Sequence, residues 1–274
     1  MAAVNRRVLP GFSLSLGYSV FYLSALVLIP LGACFLKASS LTLSEFWATV
    51  WTDRARAAYW LTFKLAGIAA TINVAIGLIV AWTLVRYDFP LKRLVDALID
   101  LPFALPTAVA GLVFATLYVE NGWLGQFLVP LGIQGAYSEL GIVLVLIFTG
   151  FPFVVRTVQP VLEALDAETE EAAQILGANR WQTFTRVILP TLVPAAVTGF
   201  ALAFARAIGE YGSVVFISRN LPYESEIAPV LIVARLEEFA YREATAIAVV
   251  LLVVSFLLLA LINLLERWSK RYAG

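Results

Sequence analysis

Apolar residues in this chain do not alternate with polar ones. They run together in six long blocks, at 13–36, 59–85, 101–119, 140–158, 192–217 and 245–265, separated by shorter polar stretches. A helix that crosses a bilayer needs about 20 apolar residues, and each block is near that length. The pattern therefore predicts an all-α membrane protein with six transmembrane helices. The third block differs from the rest, because Pro102 and Pro106 interrupt its first turn and a half. Proline near a helix start is compatible with a kinked approach to a span.

Composition supports the same reading. Of 274 residues, 61% are hydrophobic and 14% charged, against roughly 45–50% and about 25% in soluble domains. Histidine is absent and Cys34 is the single cysteine, which excludes His-based acid–base catalysis, a disulfide within the chain and a Cys/His metal cluster. No G-x-x-x-x-G-K-[ST] loop is present, so ATP has no Walker A site here. The chain has neither a basic tail nor a basic patch interleaved with aromatics, so nucleic acid is not an expected partner. A membrane-embedded enzyme could still use Asp, Glu or Ser, but few of these lie at membrane depth, so any chemistry is sparse or located elsewhere.

Lys and Arg collect on one side of the predicted spans: Arg6 and Arg7, then Arg86, Lys92 and Arg93, then Arg156, Arg180 and Arg186, then Arg267, Lys270 and Arg271. The other side carries fewer: Lys37, Arg54, Arg56, Arg219, Arg235 and Arg242. This bias places both termini in the cytoplasm. Trp51, Trp60, Trp123, Trp181 and Trp268 fall near span ends, as an interfacial belt requires. The start of the chain, with Arg6-Arg7, an apolar run and Leu31-Gly32-Ala33-Cys34, has the outline of a lipoprotein signal. Its apolar run exceeds the 7–15 residues of a signal core, and five spans follow it. It is read as an uncleaved first helix.

The connection at 159–187 is not a simple loop. Residues 167–176 are strong helix formers, Asp166 stands at the N-cap position, and Glu168 and Glu170 lie in the first turn, where the helix dipole favours them. Gly177 is placed to end the helix. Ala172, Ala173, Ile175 and Leu176 form an apolar side opposed to the glutamates. Such a helix outside the bilayer needs a surface to cover that side. Packing on the ends of its own spans is one alternative. Its acidity disfavours lipid headgroups, which attract basic faces, and a cytoplasmic docking partner is the preferred reading.

Glu171-Ala172-Ala173, followed by Gly177 and by Val187-Ile188-Leu189-Pro190, resembles the EAA signature of binding-protein-dependent ABC importer permeases. Val187 stands where that family usually has isoleucine. The resemblance extends over about 59–265. It implies the type I importer permease fold, with 1–58 as an added tail, first helix and outer loop, 59–265 as the permease core and 266–274 as a cytoplasmic tail. It also implies that the segment at about 163–187, with Glu171, Ala172, Ala173, Gly177, Leu189 and Pro190, is the coupling element that seats in a separate ATPase subunit.

The fifth block holds Arg206 and Glu210, four residues apart, where they share a helix face and can pair. Charges at membrane depth mark a pathway or gate. An internally neutralised pair that only fixes helix packing remains a second reading. Small residues line this span in two stripes, Ala195, Gly199, Ala203 and Ala207, and Ala201, Ala205 and Gly209, which let helices approach closely. Lys64, near a span end, is expected to extend to the interface. Residues 227–239 suggest a surface helix.

Residues 118–123, 152–160, 204–218 and 226–248 are similar to the sulfate/thiosulfate branch of these permeases. That resemblance implies a bacterial plasma-membrane importer in which the chain pairs with a second permease subunit (the W type). The resemblance further implies a transport subunit, not an enzyme, that binds no cofactor of its own. A homodimeric ATPase would carry ATP and Mg, and an extracytoplasmic sulfate-binding protein would deliver the anion to loops 37–58, 120–139 and 219–242. A molybdate or other oxyanion permease is the alternative, and an ion-gradient-driven transporter the rival from another class.

Overall fold

The computed structural model describes residues 11–272, without the side chains of Ala167 and of residues 265–272. Arg6 and Arg7 lie outside the described residues, as do the side chains of Arg267, Trp268, Lys270 and Arg271. Among the described residues every regular element is helical.

The first block is α1 (Phe12–Ala38), which contains a π-turn at Ser24–Leu28. A short helix α2 (Leu43–Val50) follows. It starts with a capping box in which Thr42 and Glu45 satisfy each other's backbone N–H groups. Next come α3 (Asp53–Arg86), α4 (Lys92–Ile99), α5 (Leu101–Ala104), α6 (Thr107–Tyr118) and α7 (Gly125–Leu128). The second half comprises α8 (Glu139–Glu163), α9 (Ala167–Ile175), α10 (Arg180–Ile208), α11 (Val214–Ile217), α12 (Ala228–Glu237) and α13 (Tyr241–Tyr272).

Five of these, α1, α3, α8, α10 and the Tyr241–Leu264 part of α13, are long and apolar enough to cross a bilayer. The third block behaves differently. Leu105 turns to an extended conformation before Pro106, so α5 and the 12-residue α6 are separate helices. At 1.5 Å per residue α6 reaches only about 18 Å. The fifth block also breaks: α10 stops at Ile208, residues 209–213 are irregular, and α11 resumes at Val214. Non-helical backbone at membrane depth is tolerated only where protein or a water-filled path surrounds it.

α3, α8 and α10 form the central bundle, with α13 against α10 and α1 against α13. Glycine makes the central contacts close. A Cβ at Gly77 would lie 2.6 Å from the Val154 side chain, and one at Gly199 would lie 2.6 Å from Thr157 Oγ1 and 2.9 Å from Val154 Cα. Ala195, Ala203 and Ala207 are buried, as the first small-residue stripe requires. In contrast, α1 buries only its last residue, Ala38, and stands at the edge of the bundle. α12 is not a surface helix. Ala228, Pro229, Val230 and Leu231 are buried against α3 and α13, and the Ala228 N–H donates to Thr62 Oγ1 of α3 at 2.8 Å.

Candidate functional site

The expected docking segment is more compact than a 29-residue connection. α8 continues to Glu163 and α10 already begins at Arg180, which leaves residues 164–179 between them. Arg156 accordingly belongs to α8, not to the connection. Asp166 takes the N-cap position of α9 but makes no side-chain cap bond, so the expected carboxylate cap is absent. The other end is as anticipated. Gly177 adopts φ +87° and closes the helix, with the Gly177 N–H donating to the Gln174 carbonyl at 2.9 Å and the Ala178 N–H to that of Ala173 at 3.0 Å. A second capping box, Asn179 with Gln182, restarts the chain as α10.

Two ties hold α9 against the bundle. Glu170 Oε1 pairs with Arg86 Nη2 at 2.5 Å, and the Arg86 guanidinium stands 5.7 Å over the Trp82 ring. The start of α10 supplies the other contact. The apolar tip stays uncovered: Ile175 is 86% and Leu176 88% exposed, with Glu171 and Ala172 also exposed. Leu189 and Pro190 lie just after a π-turn at Phe184–Ile188. Proline has no N–H to donate, and the wider turn precedes it within one continuous helix.

α10 runs 29 residues from this segment, about 43 Å at the helical rise. At its far end Arg206 Nη1 and Glu210 Oε2 are 2.5 Å apart. The pairing is real, but it does not lie within a helix, because Gly209 is the C-cap and Glu210 belongs to the break. The Glu210 side chain is 1% exposed and that of Arg206 33%. The Arg206 contact is an ion pair without hydrogen-bond geometry. Glu210 Oε1, in contrast, accepts two hydrogen bonds, from the Ser213 N–H at 3.0 Å and the Ser213 hydroxyl at 2.8 Å. The expected docking segment and this pair do not meet in space. One helix joins them.

Four further ion pairs, like Arg86–Glu170, were not legible from local spacing. Arg156 forks onto Asp100 at 2.9 and 2.7 Å and reaches Asp96 at 2.7 Å, fastening α4 to α8. The hydrogen bonds from Arg156 hold the Asp100 carboxyl below the ordinary carboxylate range, against the opposing effect of burial. Arg54 grips Glu226 through two bonds of 2.8 and 2.7 Å, joining α3 to the segment before α12. Lys64 does not simply extend to the interface; its Nζ lies 2.6 Å from Glu139 Oε2 at the start of α8. Among the described residues no group of three or more His, Cys, Asp or Glu side chains could hold a metal.

A polytopic helical bundle with an exposed short helix between two spans and a broken, charge-bearing span has the architecture of a membrane permease. The chain belongs to the family of binding-protein-dependent transport system inner membrane components, whose model matches residues 73–271. It is 52% identical over 256 residues to the sulfate transport system permease protein CysT of Synechocystis sp., covering 93% of this chain and 90% of that protein. It is 49% identical to the protein of the same name from Salmonella typhimurium, covering 100% and 99%. The Escherichia coli protein, also CysT, is 48% identical over 100% and 99%. Among solved structures, a bacterial ABC transporter that imports the acidic polysaccharide alginate matches with a TM-score of 0.78 at 16% identity, over 93% of this chain and 94% of that one. The alginate transporter in complex with an alginate pentasaccharide-bound periplasmic protein gives 0.76 at 19% identity, over 96% and 94%. At these identities the structures establish the fold.

Proposed function

We propose that this chain is the permease subunit of an ATP-driven sulfate/thiosulfate importer. The observation that carries the assignment is near-full-length identity of 48–52% to proteins named as sulfate transport permeases. The chain would sit in a bacterial inner membrane with both termini in the cytoplasm, consistent with its Lys/Arg distribution. Residues 59–265 would form the permease core beside a second permease subunit of the W type. An extracytoplasmic sulfate-binding protein would deliver the anion, and a homodimeric ATPase would hold ATP and Mg.

The geometry suggests how the parts work. Ile175 and Leu176 offer the ATPase an apolar tip. The Glu170–Arg86 pair and the Asn179 cap limit independent movement of α9. Motion imposed there travels along α10 to Arg206, whose partly exposed guanidinium attracts an oxyanion at the break. The energy source is the ATPase; this chain positions and gates.

The test is uptake in proteoliposomes that contain the chain with its second permease, ATPase and binding protein. Labelled sulfate and thiosulfate should accumulate only with ATP. Uptake of molybdate alone would move the assignment to another oxyanion, and uptake driven by an ion gradient without ATP would overturn the importer class.

A further inference from the structure

Glu210 holds two partners of different origin. Oε2 faces Arg206, which belongs to α10, while Oε1 takes the N–H and the hydroxyl of Ser213, which lies beyond the break. Ser213 is fully buried, and α6 fixes its backbone. A Cβ on Gly111 would stand 2.2 Å from the Ser213 carbonyl oxygen and 2.7 Å from its Cα, so only glycine lets the two segments meet there. One residue earlier, a Cβ on Gly212 would stand 2.4 Å from Thr107 Oγ1 at the start of α6. The carboxylate is thus tied to the break and to α6, whereas its guanidinium partner moves with α10.

We infer that Ser213 is a positioning residue for anion passage: it keeps the Glu210 carboxylate satisfied at the break, so that Arg206 can leave it for a passing oxyanion. This rests on the reading above that the anion passes Arg206. A buried carboxylate that loses its only partner is strongly disfavoured. With two donors from Ser213, Glu210 keeps hydrogen bonds when the arginine turns away. The same donors share the negative charge on the carboxylate and weaken its hold on Arg206. The difference in exposure agrees, with Glu210 sealed and Arg206 reachable. Without the serine hydroxyl the pair would close on itself, and the arginine would be less available.

The experiment uses the complete reconstituted importer with saturating sulfate-loaded binding protein, and reads sulfate moved per ATP hydrolysed. Ser213→Ala should lower that ratio roughly ten-fold, the effect of losing one hydrogen bond to a charged group, while ATP hydrolysis stimulated by the loaded binding protein is unchanged. Adding Ser213→Ala to Glu210→Gln should change the ratio no further. If Arg206→Ala leaves the ratio unchanged, the anion does not pass Arg206, and both the reading and this inference fail. If Arg206→Ala lowers the ratio but Ser213→Ala lowers uptake and hydrolysis in proportion, or adds to Glu210→Gln, Ser213 is only structural and the inference alone fails. Should Ser213→Ala fail to assemble, Ser213→Cys, of similar size and a weak donor, is judged by the same comparison.

Discussion

Arg86 at the end of α3 and Glu170 in the first turn of α9 meet at 2.5 Å, both about three-quarters buried, and so tie α9 to the central bundle. If α9 transmits force, this pair is one of its attachments. Arg86→Gln should leave membrane insertion intact but reduce sulfate uptake several-fold more than ATP hydrolysis, because a loosened helix absorbs part of the motion. Exchange of the two charges in Arg86→Glu with Glu170→Arg should recover part of the coupling. Equal losses of uptake and hydrolysis in Arg86→Gln would show that the pair serves only folding.

Gly177 separates conformational need from space. Its φ is +87°, yet a Cβ there would meet nothing within 4 Å. The cost of substitution is therefore backbone strain of about 1–2 kcal/mol, and it should follow tolerance of the left-handed region more than side-chain size. Gly177→Asn should keep ATPase association, whereas Gly177→Val should lose it, as read by co-purification and ATP-driven uptake. Normal uptake in Gly177→Val would remove the docking role from α9.

These two features show what local sequence can and cannot carry. Helix formers, acidic first-turn residues and a glycine stop are short-range signals, and α9 was placed within a residue of its observed bounds. Hydrophobic blocks likewise located the five long helices. The break at Leu105 is announced by Pro106, which the apolar block turns into a mere kink. That at residues 209–213 falls in Gly-Glu-Tyr-Gly-Ser, whose two glycines and polar side chains interrupt a block that averaged hydropathy carries across. Long-range pairs were hidden for another reason. Arg156 finds Asp96 and Asp100, 60 and 56 residues away, and Arg54 finds Glu226 172 residues away. No periodicity links such positions.

The Arg54–Glu226 fork should be a stability element. Glu226 is 2% exposed and takes two hydrogen bonds from one guanidinium. Glu226→Ala leaves Arg54 with its partner gone, and breaking a buried pair costs about 3–5 kcal/mol. Because Arg54 keeps 24% of its exposure, the expected loss is nearer ~2 kcal/mol. Thermal unfolding of the purified chain in detergent should show a lowered midpoint, and an unchanged midpoint would mean that water replaces the carboxylate without cost.

Asp100 gives a pH dependence with a defined sign. Its carboxyl is lowered in the folded protein by Arg156, so its contribution is present above the ordinary carboxylate range and disappears as pH falls through the lowered value. The wild-type midpoint should decline on acidification below roughly pH 4, and Asp100→Asn should flatten that limb while lowering the midpoint at neutral pH. An acid limb that is the same in both proteins would place its origin at other carboxylates.

Gly209 and Gly111 make the sharpest contrast between the stripe read from sequence and the packing observed. Gly209 belongs to the second small-residue stripe, yet it is exposed and a Cβ there would meet nothing within 4 Å. Its φ of −88° suits any residue, so Gly209→Ala should keep uptake and stability. Gly111 lies in α6, outside either stripe, and its missing Cβ makes room for the Ser213 backbone at 2.2 Å. Backbone cannot turn aside as a long side chain can. Gly111→Ala must therefore push α6 away from the break, at a cost in the overpacking range of about 1–3 kcal/mol or more. Uptake should fall sharply in Gly111→Ala while the ATPase still co-purifies, because the damage lies at the far end of α10 from α9. Loss of ATPase association in that variant would mean that the two ends of α10 are not mechanically separate.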